Sequence, residues 1–324
     1  MTAILLDDVA RFVRRFVVVN EIQADLLALW AAHTHAIEAA ETTPYLSITS
    51  PEKRSGKTRL LEVLELVVHA GLPTANTSDA ALFRSISELS PTLLLDEVDS
   101  IFSNKARDRE DLRGLLNAGY RRGAVVRRMG GAKMTTLETF PVYCAKAFAG
   151  IGNALPDTIL DRSITIALQR KTREETVERF RRRDVAPEGE TLRDCLADWV
   201  EPQLDWLRDE RPNLPDELDD RAQDMWEPLL AIADLAGGDW PQRAWKAALE
   251  LSGNGARDDD SLTALLLKDI YTVFSNGAGE HLSTAQLIER LAVIEESPWG
   301  DWRGKTITPH ALSRLLKPHR IKTM

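Results

Sequence analysis

The sequence predicts an α/β protein: a three-layer core around a parallel sheet, then a helical block, then a small helix-turn-helix or winged-helix-like module. Two stretches predict the core. In the first, the apolar, β-branched run 45–49 stops at Ser50-Pro51, and a helix opens at Gly56 and carries Leu60, Leu61, Val63, Leu64 and Leu66. Strand, tight loop and helix in that order frame a phosphate-binding loop, because free N–H groups at a helix start gather partial positive charge. In the second, Thr92-Leu93-Leu94-Leu95 is a continuous apolar run, as in a strand buried on both faces. It ends in Asp96-Glu97, at the strand end where open α/β sheets bind ligands.

Pro51, Glu52, Lys53, Arg54, Ser55 and Gly56 form the expected loop, with Lys57, Thr58 and Arg59 in the first helical turn. Lys57 would reach the β- and γ-phosphates of a nucleotide, and the Thr58 hydroxyl would hold Mg²⁺. The full motif begins with glycine where this chain has Pro51. Proline cannot take φ > 0, so the loop must enter its turn differently. The competing reading is an ordinary strand–turn–helix with an exposed lysine. Asp96 would hold the magnesium shell, and Glu97 would act as general base on the attacking water. Here the competing reading is a buried strand whose acidic end caps the next helix. The two stretches together favour a nucleotide, since paired buried acids are costly without a cation and Mg²⁺ supplies one.

The remaining elements follow in order. Apolar spacing predicts a helix over 4–19, and Asn20 is the expected N-cap of a second helix with Trp30 and His33 on its buried face. His33 and His35 point to different helix faces, so a shared metal is not expected. The run Ala70-Gly71-Leu72-Pro73 reads as a break, and 79–89 as an amphipathic helix capped by Ser78 or Asp79. Residues 103–133 hold nine lysines and arginines against three acids, including Lys105, Arg107, Arg109, Arg121, Arg122, Arg127, Arg128 and Lys133. That patch either tracks a phosphate backbone, faces a nucleotide in a neighbouring subunit, or is a solvated face with local ion pairs. Val125, Val126 and Met129 suggest an edge strand or hairpin, 139–151 a central strand, and 163–168 another strand.

Asn153, at a strand tip, is placed to orient the lytic water, and Arg162, before the last strand, to reach a γ-phosphate across a subunit interface. The alternatives are a turn asparagine and an Asp161–Arg162 surface pair. Residues 171–190 read as a charged connector broken at Pro187-Glu188-Gly189, with a helical block running on to Leu251. Its tryptophans, Trp199, Trp206, Trp226, Trp240 and Trp245, serve as core anchors or as base-stacking platforms. Arg221, near a helix start, could fold over bound nucleotide. Residues 252–260 read as a linker. The tail ends in a helix, a turn and a helix with Arg314, Lys317, His319, Arg320 and Lys322, which suits a DNA-binding or a protein-binding module.

Composition narrows the class. The 324 residues carry a net charge of -9, so any nucleic-acid contact must come from a local patch. Cys144 and Cys195 are the only cysteines and show no metal spacing, which fits a reducing compartment. No apolar run approaches membrane-helix length, and the N-terminus lacks a basic region and a cleavage site. A cytoplasmic protein is expected.

Taken together, the phosphate loop, Leu-Leu-Leu-Asp-Glu, Asn153 and Asp161-Arg162 resemble an AAA+ ATPase, with the helical block as its lid. Several stretches more closely resemble an uncharacterised actinobacterial and phage ATPase domain, a domain of unknown function often found beside primase modules. They are Thr34-His35, Tyr45-Leu46, 50–58, 155–164 and 226–234. That family tolerates Ser-Pro where most phosphate loops have glycine. The resemblance implies ATP, Mg²⁺ and a homo-oligomeric ring or partial ring, such as a hexamer. It also implies work on DNA as a helicase, helicase loader or translocase in replication or mobile-element biology. It makes Asn153 the first sensor, Arg162 the trans arginine and Arg221 the second sensor. DNA would meet the region of Arg121, Arg122, Arg127 and Arg128 and the C-terminal module. The alternative is an ATP-switched interaction, defence or regulatory protein without motor activity. The expected divisions are an N-terminal helical segment (1–44), an ATPase core (45–170), a lid (171–255) and a C-terminal module (256–324).

Overall fold

The structure, a computed structural model, describes residues 2–74, 79–102, 110–130, 136–152, 155–252, 254–275, 281–294, 297–302, 305–317 and 321. Ser78, Lys105, Arg107, Arg109, Lys133, Asn153, His319, Arg320 and Lys322 lie outside the described residues.

The chain opens with α1 (Thr2–Phe16) and α2 (Glu21–His35). Asn20 caps α2 as expected: the Gln23 N–H donates to Asn20 Oδ1 at 2.8 Å, and the Asn20 N–H donates to Gln23 Oε1 at 3.1 Å. This reciprocal pair satisfies two helix-end donors at once. Then follow β1 (Tyr45–Ser50), α3 (Lys57–Val67), β2 (Gly71–Thr74), α4 (Asp79–Leu89) and β3 (Thr92–Leu95). After these come α5 (Val98–Ile101), α6 (Glu110–Ala118), β4 (Val125–Gly130), β5 (Thr136–Pro141), β6 (Lys146–Ile151), α7 (Asp157–Leu160) and β7 (Ser163–Ala167). The second half is helical: α8 (Arg182–Val200), α9 (Leu204–Asp209), α10 (Asp220–Ala236), α11 (Trp240–Ser252), α12 (Asn254–Ser275), α13 (Thr284–Ala292) and α14 (Pro309–Leu316).

Among the described residues the main sheet has the order β2-β3-β6-β1-β7, and every pairing in it is parallel. All C-terminal strand ends therefore share one edge. There β1 and β3 flank β6, two strand spacings apart, about 10 Å. The two faces of β1 and β7 differ. Leu46, Ile48, Ile164 and Ile166 are buried. The opposite side carries Ser47, Thr49, Ser163 and Thr165, with Ser47 paired to Thr165 in register.

Four sequence expectations are corrected. The supposed break at Ala70-Pro73 is the strand β2, which pairs only with β3 among the described residues. An edge strand accommodates Pro73 because its outer side needs no N–H. The single strand expected over 139–151 is two. Pro141 ends β5, which pairs antiparallel with β4 as a separate hairpin, and β6 starts afresh at Lys146. The expected break at 187–189 lies within α8, which continues through Pro187. Here tertiary packing outweighs local propensity. Gly189 lets α8 lie against α3 and α1: a Cβ there would stand 2.6 Å from Leu66 Cβ and 3.2 Å from Phe12 Cζ. Likewise the expected linker at 252–260 is helical from Asn254.

Two apolar cores form. The main one runs from Leu6 to Leu251 and joins α1, α2, the sheet and α8–α11. The smaller one spans Leu266 to Leu316 within α12–α14. Trp226 and Trp240 are core anchors, fully buried, with Trp240 Nε1 donating to Ala3 O at 3.0 Å. Trp206 and Trp245 are exposed. Arg243 of α11 joins Asp25 and Asp7, which hold its guanidinium pKa above the usual range, and it covers the Trp240 ring at 3.8 Å.

Candidate functional site

The site forms where β1 passes into α3. Ser50 Oγ donates to Glu52 O at 2.6 Å, which folds the loop back over the strand end. The loop then turns through the left-handed region at Arg54 (φ 63°) and Gly56 (φ 93°). Pro51 is thus spared a conformation it cannot adopt. Lys57 Nζ donates to Ser50 Oγ at 2.5 Å, Glu52 O at 3.1 Å and Ser55 Oγ at 3.2 Å, so its ammonium is held within the loop. Burial pushes the Lys57 pKa down, against the pull of Asp96, Asp99, Glu52 and Asp301. Glu52 is pushed up, chiefly by burial.

The tip of β3 closes the other side. Thr58 Oγ1 donates to Asp96 Oδ2 at 2.7 Å, and the Glu97 N–H donates to Asp96 Oδ1 at 2.8 Å. Glu97 stands in the left-handed region (φ 52°), and its exposed carboxylate meets no partner among the described residues. Asp99 Oδ1 accepts the Ile151 N–H at 3.4 Å, tying α5 to the end of β6. Next to it, the Gly152 N–H donates to Ser50 O at 2.9 Å. The end of β6 therefore runs beside the loop.

The structure thus brings Glu52, Ser55, Lys57, Thr58, Asp96 and Glu97 together. It does not bring in Lys53, Arg54, Arg59, Arg162 or Arg221. Lys53 and Arg54 are exposed. Arg59 pairs with Glu62 and covers the Phe180 ring at 4.4 Å. Arg162 and Arg221 stand at the opposite sheet edge. The Tyr45 N–H, at the start of β1, donates to Arg162 O at 2.9 Å, and Arg162 itself donates to Thr158 O. Arg221 pairs with Asp161. The length of β1, roughly 16–20 Å, separates them from the loop.

Sequence reading missed Ser50 as the holder of Lys57, and also Asp99. It also missed a cavity of about 1010 Å³ on the hydroxyl-bearing face of β1 and β7, walled by Ser47, Thr49, Thr165, Pro51, Arg221 and Trp302 among others. The alternating hydroxyls of Tyr-Leu-Ser-Ile-Thr-Ser and Ser-Ile-Thr-Ile-Ala were the signal that could have found it.

Of the basic patch, Arg121, Arg122 and Arg127 are exposed. Arg128 turns inward over the Phe83 ring at 5.4 Å. Arg122 Nη1 donates to Glu38 O at 2.9 Å, and Arg121 lies 3.7 Å from Asp224. The outer hairpin face mixes exposed apolar residues, Val125 45%, Met129 49% and Leu137 60%, with exposed Arg127 and Thr139. No described helix is long and apolar enough to cross a membrane.

A family model described as a protein of unknown function (DUF3631) matches residues 167–324. A relative from Saccharopolyspora erythraea, described as an uncharacterized 28.9 kDa protein in xis 5'region, is 37% identical over 159 residues. That match covers 48% of this chain and 58% of the relative. The family match contains 226–234 and Arg221, while Lys57, Thr58, Asp96 and Glu97 lie outside it.

Proposed function

We propose that the chain is a magnesium-dependent P-loop ATPase of the AAA+ type. In this reading it assembles into a homo-oligomeric ring and acts on DNA as a helicase, helicase loader or translocase. One observation carries the reading: Thr58 Oγ1 meets Asp96 Oδ2 at 2.7 Å beside the enclosed Lys57 ammonium. The donor set fits magnesium, which takes hard oxygens such as the Thr58 hydroxyl and the Asp96 carboxylate. The first turn of α3 and Lys57 fit a polyphosphate. When bound, magnesium supplies charge neutralisation on the phosphates.

The chain's own residues then divide the work. Lys57 exchanges its loop oxygens for phosphate oxygens and orients them. Glu97, exposed at the strand tip, takes the proton of the attacking water. Asn153 orients that water in this reading. Arg162 serves a neighbouring subunit's site, since it stands a strand's length from its own loop. DNA would be met by Arg121, Arg122 and Arg127, with Arg128 behind them, and by Arg314 and Lys317.

The exposed apolar side chains Val125, Met129 and Leu137 on the hairpin favour a second reading, in which ATP switches assembly with a protein partner and DNA is not a substrate. ATPase rate against single- and double-stranded DNA at stated salt separates the two. Stimulation of several-fold that disappears in Lys57→Ala supports the motor. Flat turnover with ATP-dependent oligomerisation supports the switch, and undiminished nucleotide binding by Lys57→Ala would overturn both.

A further inference from the structure

A second cavity, of about 370 Å³, lies between the segment that follows α2 and the helices α9 and α10. It shares no wall residue with the β1–α3 loop. Its frame is fixed by specific bonds. The Tyr143 hydroxyl donates to Ala40 O at 3.0 Å and pins the segment. Pro228 lacks the N–H that would meet Asp224 O within α10, and Thr42 Oγ1 donates to that freed carbonyl at 2.7 Å. Buried Ala36, Leu207, Ala231 and Ile232 give the cavity an apolar side.

The polar wall groups are unequally served. Each arginine there already meets oxygen: Arg122 Nη1 donates to Glu38 O at 2.9 Å, Arg208 Nη1 to Asp205 Oδ1 at 2.7 Å, and Arg211 Nη1 to Glu210 O at 2.6 Å. The acceptors are left waiting. The half-buried Glu227 carboxylate and the Glu41 carboxylate at the exposed rim have no hydrogen bond or ion pair among the described residues. Burial pushes the Glu227 pKa up, Arg211 opposes this, and Asp224 and Glu41 push it up further. His33, only 1% exposed, walls the cavity from α2. Its Nε2 meets Thr43 Oγ1 at 2.9 Å, and its buried Nδ1 has no hydrogen-bond partner. A buried polar atom left in that state is costly.

We propose that this cavity binds a small primary ammonium compound, such as a diamine. A primary ammonium brings three N–H donors. The cavity offers the Glu227 carboxylate, the Glu41 carboxylate and His33 Nδ1 to receive them. With its Nε2–H donating to Thr43, the neutral imidazole accepts at Nδ1. Bound there, the ammonium joins α10 to the segment 36–42 and so fastens the helical block to the N-terminal helices. The site stands whether or not the β1–α3 loop takes a nucleotide.

The test titrates the full chain with putrescine at constant ionic strength, read by calorimetry and by thermal midpoint. Wild type should bind saturably and its midpoint should rise at roughly 1 mM amine. The permethylated diamine keeps both charges without any N–H and should do neither. Glu227→Gln should weaken putrescine binding roughly tenfold or more. Without amine it should be at least as stable as wild type, because a half-buried, unpaired carboxylate is gone. Glu41→Gln, at the exposed rim, should weaken binding to a smaller degree. The proposal is overturned by no saturable binding to wild type up to about 10 mM, by equal binding of the permethylated diamine, or by wild-type affinity in Glu227→Gln. Should Glu227→Gln fail to fold, wild-type affinity in Glu41→Gln overturns it instead.

Discussion

Glu97 holds a backbone conformation that residues with a Cβ seldom adopt, φ 52° and ψ 41°. Such a residue costs about 1–3 kcal/mol and persists only where its surroundings enforce it. Here the enforcement is the Asp96 carboxylate, which grips the Glu97 N–H and leaves the Glu97 side chain facing outward. If Glu97 is the general base, Glu97→Gln should keep nucleotide affinity and lower turnover by about 10²-fold or more. Single-turnover hydrolysis beside a binding titration would check this, and normal turnover would remove Glu97 from the mechanism. Lys57, Thr58 and Asp96 were legible as one cluster because parallel strands deliver their C-terminal ends to one edge. Asp99 was not. It reaches the end of β6 beside the loop from a short helix, and no local spacing encodes that approach.

Among the elements, two helical glycines should respond to the same substitution with opposite signs. Replacing a helical glycine by alanine normally stabilises by about 1 kcal/mol. In α6, a Cβ added at Gly114 would meet nothing within 4 Å, so Gly114→Ala should gain up to about 1 kcal/mol. In α8, Gly189→Ala would drive a Cβ into Leu66 at 2.6 Å, and overpacking of about 1–3 kcal/mol should reverse the sign. Urea midpoints of the two variants should move in opposite directions, and a stabilised Gly189→Ala would mean that α8 does not press on α3. The same contrast explains why α2, α3, α4, β1, β3 and β7 could be read from local pattern while β2, the unbroken α8, the start of α12 and the boundary between β5 and β6 could not. Proline has a local meaning that an edge position or a hairpin end overrides, and pairing partners far along the chain decide which of these applies.

For the whole molecule, acid should act through His33, buried under the core, and half-buried His35 beside it. Burial pushes His33 down to about 3 and His35 down to about 4, from a free value of 6.5. The unfolded chain therefore binds more protons below pH 6.5, and the folded state loses stability as pH falls. Each histidine should cost about 2 kcal/mol by pH 5. Urea titrations at pH 7, 6 and 5 would show the decline, which His33→Gln should reduce by about half. An unchanged midpoint across that range would mean that neither ring is sequestered. The shared core that buries these rings was hidden from sequence division, which separates 1–44 from 171–255, because apolar periodicity marks a buried face without saying what covers it. One consequence reaches back to synthesis. Trp240 Nε1 reaches Ala3 O across 237 residues, so the bond that ties α11 to α1 can form only after the chain between them is made. At about 5–20 residues per second, that closure comes roughly ten to fifty seconds after α1 is made. In the meantime α1 has α2 and α3 to pack on, and the late bond fastens a helix already partly covered.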